Sequence, residues 1–465
     1  MRHRTRRSVL RSMALLPLLG LRWQTAGALT AELPTDEDVR RLLMRRIDEE
    51  RQSLGIVIGL VGAARNRVVA YGARSTADPR PPDASLLFNV GSISKLFTAL
   101  LLTDAVRRGE LRLEDPLKLH LPRGTKIPDF EDRPITLIDL VTHTSGLPVM
   151  PDDAPPESDQ AAYARYSREQ LFAFLAGYRL SVAPGSRWLY SNLSAVLIVE
   201  ALTHRTRQSL ASLLQSRVLQ PMGLSSTYLS IDTAPRSRVI PGHDLDLREL
   251  PLEPASVLAG YGGMYSSARD LMKFVAAFMS YEHTSLNPAM TAMLKTRRPI
   301  VTYAGEQALG PQIFGDGDDV QIGHSGSTSG HAVSLTWTPG RFGVVALSNA
   351  APPVTDLSAH LLDARVPLAA PMRSVSVDVT TLARYVGRYN GGSGMVFVVA
   401  LEGQGLTFEN PGFAPKIGIV PESEGVFTVP RIGARVVFEG AAPAPPHTVY
   451  IDLAGTRYTG RRMAE

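Results

Sequence analysis

The sequence predicts an α/β protein with a small all-β domain at its C-terminal end, and three patterns point to it. Short β-branched runs occur early, at Ile56–Val61 and Arg67–Tyr71, and strand-like runs return after Gly323. Between these regions the apolar spacing is mostly that of helices. Beyond a stretch rich in Pro, Ala and Arg around 366–374, short strand-like runs follow one another closely. At 465 residues the chain is long enough for a large core and more than one domain.

The amino terminus reads Met1-Arg2-His3-Arg4-Thr5-Arg6-Arg7-Ser8-Val9-Leu10, followed by an apolar stretch from Met13 to Leu21 and by Ala26-Gly27-Ala28. A basic start, an apolar run too short to span a bilayer and a small-residue exit describe a cleavable signal peptide over residues 1–28. Arg6-Arg7 before Ser-Val-Leu resembles the twin-arginine type, which exports folded proteins; an Arg-rich general secretory signal is the alternative. Either way the mature protein is expected to be exported, to a periplasm or to the medium. No later stretch is long and apolar enough for a membrane helix. The net charge of +5 is carried almost entirely by arginine, much of it in this leader. No basic stripe suited to nucleic acid stands out. The lack of cysteine excludes disulfides, thiolate metal sites and a cysteine nucleophile, and no cofactor is called for.

From Asp36 to Ser53 the spacing is helical, with Val39, Leu42, Leu43 and Ile47 on one face and acids at the start. Ile56–Val61 and Arg67–Tyr71 flank Ala-Ala-Arg-Asn as a hairpin. A helix beginning near Ser92 is stopped by Gly109, and Glu110 to Pro122 is loop-like. Ile135 to Val141 reads as a helix capped by Thr136, leaving through Thr142-His143-Thr144-Ser145-Gly146-Leu147-Pro148. There Gly and Pro explain His143 and Ser145 as a turn rather than a catalytic pair. A Pro- and Asp-rich loop follows, then helical spacing at Arg168–Ala176 and Leu193–Leu202. Tyr261-Gly262-Gly263-Met264 turns into a helix over Ala268–Phe278; without a preceding strand or a phosphate-loop lysine it is no nucleotide site. Strands are expected from Gly323, through Ala332–Thr338 and, after Pro339-Gly340, along Gly343–Asn349. In the last part, Met395–Leu401, Gly405–Phe408, Gly425–Val429, Arg435–Glu439 and Thr448–Leu453 suggest a small barrel or sandwich.

Ser92 stands where a helix should begin, with Lys95 three residues on and the apolar run Leu96-Phe97 behind it. That spacing puts a hydroxyl and an amine on one helix face. A serine attacks poorly until a neighbouring base takes its proton, and a lysine among apolar side chains can fill that role. Backbone N–H groups at a helix start add an oxyanion site. Ser-x-x-Lys alone arises by chance and needs partners. Tyr190-Ser191-Asn192 offers a phenol that can move a proton and an amide that can hold a substrate group. His324-Ser325-Gly326 puts an imidazole beside a glycine at which a substrate backbone can approach closely.

In this order and with these separations, Ser92-x-x-Lys95, Tyr190-x-Asn192 and His324-x-Gly326 resemble the three active-site elements of the serine β-lactamase and penicillin-binding protein superfamily. The flanks Phe88–Lys95, Ile135–Pro148, Pro184–Asn192 and His324–Gly330 look like the branch that holds class C β-lactamases, D-aminopeptidases, low-molecular-mass D-alanyl-D-alanine peptidases and related esterases. The resemblance runs from Asp38 to His360. It implies a β-lactamase/transpeptidase-like antiparallel sheet flanked by helices, with an inserted helical region, over residues 29–366. Leu382 to Tyr389 resembles the start of a lipocalin-like domain, so residues 375–465 are expected to form a small β-barrel. The resemblance implies that Ser92 is acylated, that Lys95 and Tyr190 share the proton transfers, and that Asn192 holds the substrate amide. The N–H groups of Ser92 and Ser327 would form the oxyanion hole.

Class C β-lactamases carry Lys-Thr-Gly where this chain has His324-Ser325-Gly326, a form that resembles D-aminopeptidases, peptidases and esterases. The expected reaction is therefore hydrolysis of amide bonds in D-amino-acid peptides of the cell-wall type, with peptidoglycan as their source. A β-lactamase, a carboxylesterase and a penicillin-sensing protein that acylates without turnover are the alternatives. If His324 binds a substrate carboxylate as imidazolium, that preference should fall as pH rises through its pKa. An α/β-hydrolase is disfavoured, since Gly-x-Ser-x-Gly does not occur.

Lys95→Arg should abolish reaction nearly as fully as Ser92→Ala, because a guanidinium does not give up its proton in a protein. Covalent labelling by penicillin-type or fluorophosphonate probes checks this. A Lys95→Arg rate above about a tenth of wild type would move the base role to Tyr190.

Overall fold

The computed structural model describes residues 33–464, apart from 152, 156–163, 254–262, 301–304, 393–394, 411–413, 430–433, 441–442 and 454–455. The leader expected at 1–28 lies outside the described residues, as do Tyr261 and Gly262 of the glycine turn.

The two β regions of the sequence meet in one eight-stranded sheet. Its strands are β1 (Gly55–Gly62), β2 (Asn66–Gly72), β3 (Arg298–Pro299), β4 (Glu306–Gln307), β5 (Gln312–Phe314), β6 (Gln321–Ser327), β7 (Ala332–Trp337) and β8 (Phe342–Ser348). They run in the order β3-β4-β5-β6-β7-β8-β1-β2, antiparallel throughout. The early hairpin therefore docks on the late one, with Ile58 opposite Ala346. Strand β1 is buried along nearly its whole length because both faces of the sheet are covered. Val57, Val61, Val345 and Leu347 point into the main core. Alternation turns Ile56, Ile58, Val344 and Ala346 to the other face, where Ser334 Oγ on β7 meets Ser358 Oγ at 2.6 Å. Ser358 belongs to a helix, Thr355–Leu362.

Helix α1 spans Asp36–Met44, capped by Thr35, and continues as a π turn over Arg45–Glu49. Helix α2, Ser94–Arg107, is buried on every side from Ser94 to Ala105. Its sequence, SKLFTALLLTDA, is apolar around most of the cylinder, as a central helix must be. Phe97 stacks on Phe274, centroids 4.5 Å apart, which ties α2 to the helix Ala268–Phe278 that packs on the main sheet. Thr136 caps Leu137–Val141 in a reciprocal capping box with Asp139, as expected.

The C-terminal part is a closed eight-stranded barrel: β9 (Gly387–Gly392), β10 (Met395–Glu402), β11 (Gly405–Asn410), β12 (Ala414–Ser423), β13 (Val426–Val429), β14 (Ala434–Glu439), β15 (Thr448–Leu453) and β16 (Thr456–Arg462). Five of these strands were expected from the sequence. The three others, β9, β12 and β16, hold Gly-Arg-Tyr-Asn-Gly-Gly, Ala-Pro-Lys-Ile-Gly-Ile-Val-Pro-Glu-Ser and Thr-Arg-Tyr-Thr-Gly-Arg-Arg, whose Gly, Pro and charge hide strand propensity. Barrel closure recruits them: β9 pairs with β16 through Tyr389 opposite Arg462. The interior is filled by aromatic rings, with Tyr385, Phe427 and Phe438 in mutual contact and Phe397 stacked on Phe408.

This barrel core shares no residue with the main core. The connecting segment nevertheless lies on the catalytic part. The Gln52 side chain, 6% exposed, donates to Met372 O and accepts from Met372 N, both at 2.8 Å. Asp356, ion-paired to the buried Arg46 at 2.5 Å, accepts the Ala369 N–H at 2.9 Å. A chain ending at Arg373 keeps these contacts and one ending at Leu362 loses them. Both are expected to be soluble and to label at Ser92. The shorter should melt a few degrees lower: Gln52 Nε2 keeps Glu50 O, but its Oε1 loses the Met372 N–H, and a buried acceptor left unmet costs about 1–3 kcal/mol. An insoluble or unlabelled longer fragment would show that the two parts depend on one core.

Candidate active site

Ser92 does not open the α-helix directly. It lies in a single 3-10 turn, Gly91–Ile93, and the α-helix begins at Ser94. Gly91, at φ +50°, makes this turn possible, and Ser94 Oγ donates to Gly91 O at 2.7 Å. The expected juxtaposition survives, because turn and helix stay in line. Lys95 Nζ lies 2.8 Å from Ser92 Oγ, and Lys95 is only 4% exposed.

The second motif arrives from the loop Pro184–Ser191. Tyr190 OH lies 2.9 Å from Ser92 Oγ, and Lys95 Nζ sits 5.0 Å from the centroid of the Tyr190 ring. Ser191 caps the helix Asn192–Thr206, accepting the Ser194 N–H. Asn192 is thus the first helical residue rather than the cap. Its Nδ2 is 3.7 Å from Met150 Sδ, and its Oδ1 is buried with no hydrogen-bond partner among the described residues.

Strand β6 brings the third motif. Its partner β5 ends the pairing at Gly323, so from His324 onward β6 presents an edge to the Ser92 turn. A Cβ at Gly326 would fall 2.0 Å from Val90 O and 3.0 Å from Ser92 N; one at Gly91 would fall 2.9 Å from Ser327 N. Turn and strand are therefore in backbone contact, which sets the Ser92 and Ser327 N–H groups on facing segments.

His324, 7% exposed, lies 2.7 Å through Nδ1 from Ser325 O. A carbonyl can only accept, so the ring proton is on Nδ1 and Nε2 is left as an acceptor. That Nε2 is buried with no partner among the described residues. Burial, and after it the charge of Lys95, push the imidazole down to about 4. The imidazole at the third motif is thus held neutral at pH 7, because a cation there would have to form in a buried place beside Lys95.

Two supports were not singled out from the sequence. The Glu253 carboxylate accepts from Asn89 Nδ2 at 3.0 Å and from Ser329 N at 3.2 Å, while Asn89 Oδ1 accepts the Gly91 N–H at 3.1 Å. It joins the segment before Ser92 to the turn after Ser327. A lone Glu far from every motif gives no signal for this. The Thr142–Pro148 segment is a turn, as expected, yet it also props the Tyr190 loop. Thr144 O accepts the Gly185 N–H at 2.6 Å, and Arg298 bonds both Asp139, at 2.8 Å, and the Thr144 hydroxyl. Among the described residues no group of three His, Asp or Glu is placed to hold a metal, and no helix is long and apolar enough to cross a membrane.

Residues 40–366 match the family model described as Beta-lactamase. The chain belongs to the β-lactamase family. Among its relatives is the D-alanyl-D-alanine-carboxypeptidase/endopeptidase AmpH of Escherichia coli K12, 24% identical over 58% of this chain and 68% of AmpH. A β-lactamase of Pseudomonas fluorescens is 26% identical over 60% of this chain and 75% of its own length. In fold the chain is similar to the class C β-lactamase of Rhodobacter sphaeroides, with a TM-score of 0.58 and 25% identity, covering 67% of this chain and 94% of that one. As a member of this family the protein is a serine hydrolase.

Gly326→Ala is expected to cut labelling of Ser92 by a fluorophosphonate about 100-fold or more, since misplacing a reacting group by about 1 Å has that effect. The far-UV circular dichroism should be unchanged. Undiminished labelling would show that β6 can retreat without disturbing the nucleophile.

Proposed function

We propose that the protein is an exported serine hydrolase that forms an acyl-enzyme on Ser92 and hydrolyses amide bonds in D-amino-acid peptides of the cell-wall type. The observation that carries this reading is the convergence of Lys95 Nζ and Tyr190 OH on Ser92 Oγ, at 2.8 and 2.9 Å. One of these bonds must reverse for reaction, with a neutral Lys95 amine or a Tyr190 phenolate accepting the Ser92 proton. The freed oxygen attacks the substrate carbonyl, and the N–H groups of Ser92 and Ser327 receive the developing oxyanion. The proton then passes to the leaving nitrogen, which departs as an amine. Water enters along the same path and releases the acid, with Lys95 and Tyr190 again moving the proton. Asn192 Oδ1, buried and without a partner among the described residues, would accept an amide N–H of the substrate.

The third motif narrows the substrate. A neutral imidazole with Nε2 as acceptor offers no positive charge to a carboxylate and favours a hydrogen-bond donor. This supports peptides cleaved at bonds without a free carboxylate beside them, over release of a C-terminal residue or turnover of β-lactams. The same observation favours a second reading, hydrolysis of uncharged esters.

A panel of a chromogenic cephalosporin, a D-alanine anilide, a D-alanyl-D-alanine peptide and a short ester separates these readings. The anilide is expected to turn over fastest; a cephalosporin or ester ahead of it would replace the peptidase reading. Because burial and the Lys95 charge push His324 down to about 4, it is expected to be neutral above about pH 5. The ratio of kcat/KM for a carboxylate-bearing substrate to that for an uncharged ester should therefore stay flat from about pH 5 to 9. His324→Lys should raise that ratio and introduce a fall at alkaline pH. A wild-type ratio that drops between about pH 6 and 7 would show a charged His324.

A further inference from the structure

His143 closes the turn after the Leu137–Val141 helix and takes hold of the Tyr190 loop at three points. Its carbonyl accepts the Leu189 N–H at 2.7 Å. Its Nδ1 accepts the Ser191 N–H at 3.3 Å. Between these anchors its ring faces the Tyr190 ring, centroids 4.5 Å apart and planes inclined by 38°. Trp188 packs edge-on against the same imidazole at 6.5 Å. The residues before, at and after the candidate proton carrier are thus all held by one side chain and its own backbone.

The conformation of His143 adds an independent sign. It stands at φ +54°, in the left-handed region that non-glycine residues rarely adopt and in which Asn, Asp and His are the enriched types. Such a conformation persists where surrounding contacts over-determine it, and it gathers at functional sites. The residue is 4% exposed. Burial, and after it the charge of Lys95, hold its imidazole well below the ordinary histidine range. A neutral ring keeps the Nδ1 lone pair that receives Ser191.

We propose that His143 is a positioning residue that acts through Tyr190, fixing the phenol at its 2.9 Å distance from Ser92 Oγ without itself touching substrate. This inference rests on the Ser92, Lys95 and Tyr190 reading above. It accounts for a histidine at the end of a polar turn whose other residues have plain structural roles. It also explains why a Tyr on a loop, rather than on a helix or strand, can be held closely enough to carry a proton.

The test uses the full chain and a fluorophosphonate probe, measuring kinact and KI by saturation labelling. His143→Ala and His143→Phe should lower kinact about 100-fold with KI unchanged, the size expected when a catalytic group is displaced by about 1 Å. His143→Asn tolerates the left-handed backbone and places an amide oxygen near the Nδ1 position, so it should recover to within about tenfold of wild type. The double variant Tyr190→Phe/His143→Ala should label no more slowly than Tyr190→Phe alone, because nothing is left for His143 to position. Circular dichroism and Tm establish that each variant folds, and the Asn variant carries the comparison should the Ala variant not. A wild-type kinact in His143→Phe, an Asn variant no better than Ala, or losses that add in the double variant would each overturn the proposal. Labelling retained in Ser92→Ala, or undiminished in Tyr190→Phe, would instead sink the reading on which it rests.

Discussion

The close approach of one sheet strand to one helical turn is the constraint on which the cleft depends. Strand β6 lies against the Gly91–Ile93 turn with no room for a Cβ at Gly326 or at Gly91, and backbone contact at that distance brings the Ser92 and Ser327 N–H groups, far apart in sequence, onto facing segments. The approach is possible because β5 is only three residues long and its ladder with β6 ends at Gly323. A longer β5 would occupy the β6 edge with its own hydrogen bonds. The position of β6 is in turn fixed by β7 and β8, and through them by β1. The N-terminal hairpin therefore helps to set the cleft although it contributes none of the candidate residues.

Around the nucleophile, one cation shapes its neighbours. Lys95 is buried next to two imidazoles, and its charge is a cause, after burial, of the lowering of both His143 and His324. Like charges in a medium of low dielectric repel strongly, so whenever Lys95 is protonated the two imidazoles beside it are held as neutral hydrogen-bonding surfaces. Neutrality gives each histidine a defined tautomer. At His143 the lone pair of Nδ1 meets Ser191; at His324 the lone pair of Nε2 has no protein partner among the described residues. The first is a structural bond and the second an acceptor that no described residue satisfies.

The barrel is built on a different principle. Its strands close on themselves, so its ladder needs no pairing from another chain, and its own rings pack in its interior. Arg462 lies across the closure, donating to Tyr389 OH at 3.0 Å and to Val386 O at 2.6 Å. Its attachment to the catalytic part runs through Gln52, Arg46 and Asp356, polar contacts with the connecting segment rather than with the barrel core.

The residues alone marked most of the elements and the candidate residues of the site. Helical spacing marked α2, turn residues marked both hairpins of the main sheet, and three short motifs in order marked Ser92, Lys95, Tyr190, Asn192, His324, Gly326 and Ser327. These signals are local, because they depend on spacings of one to four residues. Only the tertiary structure decided the charge of His324, which follows from burial and from a lysine more than two hundred positions away in the chain. It likewise assigned Glu253 and His143 to the support of the cleft, and β9, β12 and β16 to the barrel. A carboxylate in a loop, a histidine in a turn and a Gly-rich strand carry no periodicity of their own; what they do is set by the partners that folding brings to them.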